Sequence, residues 1–76
     1  MNNNRRKRLQ QLKDKLLDLQ TEIEEIKDEE QDAYDNLPES LQDSERGETM
    51  SEAIDNLDSA YNSLDEVAEY LEEAMQ

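Results

Sequence analysis

With 76 residues, 22 acids against 8 bases (net −14) and a hydrophobic content of 33%, the chain has room for one small domain and few large side chains to fill it. A domain of this size buries only about 60% of its unfolded surface, and small helical units commonly regain stability by self-association or by docking on a partner. The lack of cysteine and histidine excludes disulfides, thiolate metal sites and the commonest general base, while a field of this sign repels nucleic acid and anionic membrane and favours basic proteins.

Asn2 to Asn4 offer an N-cap for a helix beginning near Arg5. Residues 1–15 hold six of the eight bases (Arg5, Arg6, Lys7, Arg8, Lys13, Lys15) and one acid, Asp14, for a local charge of +5. From residue 16 onward Lys27 and Arg46 stand against 21 acids, or −19. Gln10, Gln11, Lys13 and Asp14 follow the basic start where a signal peptide would place an apolar run. No window reaches the roughly 20 apolar residues of a membrane span. A soluble, cytoplasmic protein is expected.

The first long helix is expected over residues 5–36. Leu9, Leu12, Leu16, Leu19, Ile23 and Ile26, followed by Glu30, Ala33 and Leu37, recur in alternating steps of three and four. That spacing lines one side of an α-helix and no single side of a strand. Written as a heptad, Leu9, Leu16, Ile23, Glu30 and Leu37 occupy a, and Leu12, Leu19, Ile26 and Ala33 occupy d. Proline disfavours helical geometry in the residue before it, so Asn36-Leu37-Pro38 ends the helix.

A connector over 37–47 holds the only proline and the only glycine of the chain. Ser40 and Ser44 are both candidate caps for the next helix, and Glu45 and Glu48 suit the positive end of its dipole. The second long helix is expected over 48–75, with its start open by about four residues. Its stripe is Met50, Ala53, Leu57, Ala60, Leu64, Val67, Leu71 and Ala74. A second apolar column, Ile54, Tyr61, Ala68 and Met75, runs beside it at e and widens the buried face beyond a two-stranded seam.

These elements predict an all-α fold, one antiparallel helical hairpin over residues 1–76. Association into a dimeric four-helix bundle is the simplest way to cover its faces. The expected self-association core is Leu9, Leu12, Leu16, Leu19, Ile23 and Ile26 with Ile54, Leu57, Tyr61, Leu64, Val67 and Leu71. Antiparallel packing sets the basic start of the first helix beside Asp65, Glu66, Glu69, Glu72 and Glu73 and against the negative dipole end of the second. Such pairs, worth about 0–1 kcal/mol each, set register more than stability. They also give Arg5 to Arg8 a better role than nucleic-acid contact.

Glu30 is the one acid in the a column, and Arg46 falls at d one turn before the second helix. The two either form a partly buried pair that fixes register or both reach solvent at the bundle end. With Tyr34 and Gly47 they make a candidate site for a small anionic or nucleotide ligand at a helix N-terminus. The runs Glu22, Glu24, Glu25 and Asp28, Glu29, Glu30, Asp32 lack calcium-loop spacing and read as solvated faces, so no metal or other cofactor is expected. Asp55, Asn56, Asp58, Asn62 and Asp65 form a further acidic strip, either a phosphate-backbone mimic or a solubilising face. No nucleophile has a positioned base, and no catalytic residue is nominated.

The stretch Asp28-Glu-Glu-Gln-Asp-Ala-Tyr-Asp-Asn-Leu-Pro-Glu-Ser-Leu-Gln-Asp-Ser-Glu-Arg-Gly-Glu48 and the Ala-Ile-Asp-x-Leu heptads after it resemble short acidic helical-hairpin proteins of phages and prophages in Gram-positive bacteria. That group has no assigned activity, so the resemblance implies a setting, a bacterial host cell, more than a mechanism; small acidic proteins in that setting are often accessory factors that block host machinery by binding a protein or sequestering a nucleotide signal. A non-enzymatic protein that binds a basic-surfaced host protein is therefore expected. The alternatives are a sponge for a nucleotide-type ligand near Arg46, Tyr34, Gly47 and Glu30, and a purely structural oligomerisation element.

Overall fold

The computed structural model describes residues 1–76 as three helices, α1 (Asn3–Asp35), α2 (Glu39–Gln42) and α3 (Glu45–Ala74), with no strand. α1 and α3 lie antiparallel in a rod of 58 × 15 × 11 Å. Its radius of gyration is 17.3 Å, against about 11 Å for a compact chain of this length. No helix is long and apolar enough to cross a membrane.

Both long helices begin at a side-chain cap. Asn2 Oδ1 accepts from the Arg5 N–H at 2.8 Å and caps α1. At the other end the Gln42 side chain donates to the carbonyls of Tyr34 and Leu37, both at 3.2 Å; the first also accepts from the Leu37 N–H. Pro38 opens α2, a single turn whose four residues are too few to show a periodicity. Ser44 caps α3 by accepting from the Gly47 N–H, while its own hydroxyl donates to the Leu41 carbonyl. The second long helix thus begins at 45 rather than 48, and Gly47 sits inside its first turn.

The two rods meet along a stripe that is shifted from the expected one. In α1 the half-buried or buried residues are Arg6, Leu9, Lys13, Leu16, Gln20, Ile23, Lys27, Glu30 and Tyr34, with Gln31 near the bend. In α3 they are the columns Met50, Leu57, Leu64, Leu71 and Ile54, Tyr61, Ala68, Met75, with Gly47, Ser51 and the d residue Ala53 near the bend. Both helices therefore pack through a and e, which are about 40° apart around a helix, and not through a and d. Leu12, Leu19 and Ile26 of the expected core stay about half exposed, as does Val67.

Only Gln20, Gly47 and Ile54 are buried, and Ile54 is the one apolar side chain among them. The accessible surface, 5826 Å², exceeds by roughly 1,000 Å² the ~4,800 Å² expected of a compact domain of 8.9 kDa. The hairpin by itself has a seam but no core.

Candidate functional site: a two-sided rod

The seam divides the rod into two unlike broad sides. Lys13 pairs with Glu72, Gln20 Nε2 donates to Asp65 Oδ1 at 2.7 Å, and Lys27 Nζ pairs with Asp58 at 2.8 Å. Each step is seven residues forward on α1 and seven back on α3, which fixes the register of the whole hairpin. These e-column groups of α1 reach b-column acids of α3, so e and b of both helices share one broad side. By the same geometry a and d of both helices share the other.

The first side is a polar ladder. Two shallow clefts open on it: about 170 Å³ lined by Ile23, Glu24, Lys27, Asp58, Tyr61 and Asn62, and about 310 Å³ between Lys13, Asp65, Ala68, Glu69 and Glu72. Carboxylates outnumber the single lysine in each lining and each lysine is already paired, so neither is built for an anion. At the end of the ladder the Arg6 guanidinium donates to the Met75 carbonyl at 2.7 Å, placing a cation on the negative end of the α3 dipole. Of the expected charge pairs between the start of α1 and the end of α3, Lys13 with Glu72 forms. Lys27 with Asp58 is an addition.

Gln20 is 4% exposed and its amide spans the seam, donating also to the Tyr61 carbonyl at 3.1 Å. It is the one fully buried polar side chain of the seam, and a polar group so placed fixes register at some expense of stability. Gln20→Leu is expected to raise the melting temperature, or leave it within a few degrees, while allowing α3 to slip against α1. Loss of the sharp amide signals that a single register gives in NMR spectra would report the slip. Sequence reasoning misses Gln20 because it places the buried stripe of α1 at a and d and leaves the e position out of it. The signal is present nonetheless: Lys13, Gln20 and Lys27 recur every seventh residue, as do Asp58, Asp65 and Glu72.

Lys27 holds its proton more tightly than the ordinary lysine value of 10.5. The hydrogen bond to Asp58 is the main cause, and desolvation opposes it in part. A raised folded value means that the stabilisation is complete below the unfolded value and is lost as pH rises through the folded one. Wild type should therefore lose thermal stability relative to Lys27→Arg as pH rises beyond the ordinary lysine value, and match it at neutral pH.

The connector residues do not converge on a ligand site. Glu30 is half-buried in the a column, while Arg46 is exposed. Of the two alternatives the pair does not form, because Arg46 lies at d, on the side turned away from the seam. Tyr34 is half-buried at the end of α1, its carbonyl occupied by Gln42. Gly47 is bare for a packing reason. A Cβ there would stand 2.0 Å from the Gln42 carbonyl oxygen, so the last turn of α2 rests directly on the first turn of α3. Both clefts of the molecule lie away from this end. The acidic runs of α1 wind around the helix, and no three carboxylates gather to hold a cation.

The second broad side is apolar. Leu12, Leu19, Ile26 and Ala33 of α1 run alongside Ala74, Val67, Ala60 and Ala53 of α3, level to within a residue in the register the ladder sets. Leu19 is 47% and Ile26 53% exposed, and the strip extends over about 30 Å of helix. A continuous row of this kind marks an interaction surface in a way that scattered exposed leucines do not. No family model, curated protein or solved structure matches the chain.

Proposed function

We propose that the chain is a non-enzymatic interaction protein that works as a homodimer. Two hairpins close their a/d sides on each other into a four-helix bundle, and the acid-coated exterior binds a protein with a basic surface. The observation that carries this reading is the row Leu12, Leu19, Ile26 and Val67, left in water by a hairpin that buries a single apolar side chain. The surface in excess of a compact domain, roughly 1,000 Å² per chain, is also what a standard interface of about 800 Å² per partner requires. Beyond the basic start of α1, acids prevail on what remains outside: Asp18, Glu25 and Asp32 on α1 and Glu52, Glu66 and Glu73 on α3 are all exposed.

In the phage or prophage setting that the connector segment implies, such a dimer serves as an accessory factor that binds and inhibits a host protein in the bacterial cytoplasm. Sedimentation should give a species of twice the 8.9 kDa chain mass. The immobilised dimer should retain a host protein from a Gram-positive lysate at low salt and release it at high salt, as screening of exposed charge requires. A monomeric species, or retention that salt leaves unchanged, would remove the reading.

A further inference from the structure

Two hairpins can close on their apolar sides in two ways that keep a two-fold axis. With the axis along the rods, both connectors lie at one end and α1 of each chain packs on α3 of the other. With the axis across the rods, the connectors lie at opposite ends, α1 packs on α1, and α3 on α3. The residues bordering the apolar strip distinguish them.

On α1 the border is the g column, Arg8, Lys15, Glu22 and Glu29, all exposed and free of any hydrogen bond or ion pair within the chain. Its order is two bases followed by two acids at constant spacing of seven. Such a column is complementary to itself when reversed, and to nothing when laid parallel. On α3 the border is Thr49, Asn56, Ser63 and Tyr70, a column without charge on a helix whose other exposed columns carry most of its acids. Tyr70, 71% exposed, has no partner in the hairpin.

We propose that the dimer is the crossed form: a second copy of this chain lies antiparallel on the apolar side, with Arg8 facing the partner's Glu29 and Lys15 facing the partner's Glu22. This rests on the homodimer reading above and adds its geometry. Three independent features agree on the same axis. Pairing residue 8 with 29 and 15 with 22 places the two-fold between residues 18 and 19, which sets Leu19 on its own copy and Leu12 on Ile26. In the ladder register that level corresponds to Val67 on α3, which then meets Val67, while the exposed Tyr70 ring lies over the small Ser63. The axis also falls near the middle of the 33-residue α1, so α1 overlaps its copy along nearly its full length, while α3 meets its own copy over residues 59–74. The charge-free border of α3 lets two strongly acidic helices lie side by side. With the axis along the rods the α1 border would face that neutral column, and its charge order would have no counterpart.

A single Ser40→Cys variant is suited to a spin label, because the chain has no other cysteine and Ser40 is exposed on the connector. The crossed dimer separates the two labels by most of the 58 Å rod, whereas connectors at one end would hold them within roughly 25 Å. Charge exchange is the second measurement. Arg8→Glu with Lys15→Glu makes the border uniformly acidic and should weaken dimerisation at least about tenfold. Adding Glu22→Lys and Glu29→Arg to that variant rebuilds a self-complementary order and should restore it. Short label distances, or a border variant that dimerises like wild type, would overturn the crossed geometry while leaving the dimer intact. A wild-type monomer would instead defeat the homodimer reading itself.

Discussion

Replacing Leu19 by lysine is expected to leave the chain monomeric and largely unfolded at room temperature. On the isolated hairpin this is an exchange at a half-exposed position, and surface changes of that kind fall within about ±0.5 kcal/mol. In the bundle Leu19 meets its own copy. The substitution then places two ammonium groups in one apolar layer, at several kcal/mol per uncompensated charge. A small domain whose total stability is on the order of 5 kcal/mol does not survive that. Lysine also reduces the magnitude of the −14 net charge, so added self-repulsion cannot explain a loss. Far-UV circular dichroism with sedimentation equilibrium decides the matter: a Leu19→Lys chain as helical as wild type would show that the hairpin stands without a second copy.

Gly47→Ala should cost about 1–3 kcal/mol, the usual range for an atom forced into filled space. Helix propensity alone predicts the opposite sign, since alanine is about 1 kcal/mol better than glycine within a helix. The contact decides which wins. A Cβ 2.0 Å from the Gln42 carbonyl oxygen meets backbone, which no side-chain rotation relieves. α2 must lift, and as it lifts Gln42 withdraws its two hydrogen bonds from the end of α1. For a chain of this size each kcal/mol moves the melting temperature by about 4–8 °C, well within calorimetric resolution. Gln42→Ala should leave that melting temperature no higher when added to Gly47→Ala, because the obstructing atom belongs to the main chain.

Both long helices, their antiparallel sense and the break at Pro38 are legible in the sequence, because spacings of three and four, one proline and the sorting of charge by sign are local signals. The division of the apolar stripe is not. Leu12, Leu19 and Ile26 repeat with Leu9, Leu16 and Ile23 in one heptad, and periodicity records only that both columns are apolar. It does not record that the hairpin uses the second set, with Lys13, Gln20 and Lys27 beside it, and leaves the first set outside. The choice between a Glu30 to Arg46 pair and two solvent-facing groups depends on the same column assignment, and the observed one leaves Arg46 exposed and the pair unformed. Gly47 stands out in the sequence, which nonetheless points it to the wrong neighbour. A glycine at a helix start suits a bound anion and a crossing backbone equally, and only the fold reveals the Gln42 carbonyl above it.

The pairing of the rods also sets an order of assembly. Gln42 touches Tyr34 across eight residues of sequence, whereas Arg6 reaches Met75 across 69, and the entropy lost in closing a loop grows with its length. The hairpin should therefore nucleate at its bend and zip toward the free termini. In the native state the same gradient runs backward, so amide protons near the termini should exchange with solvent sooner than those flanking the bend.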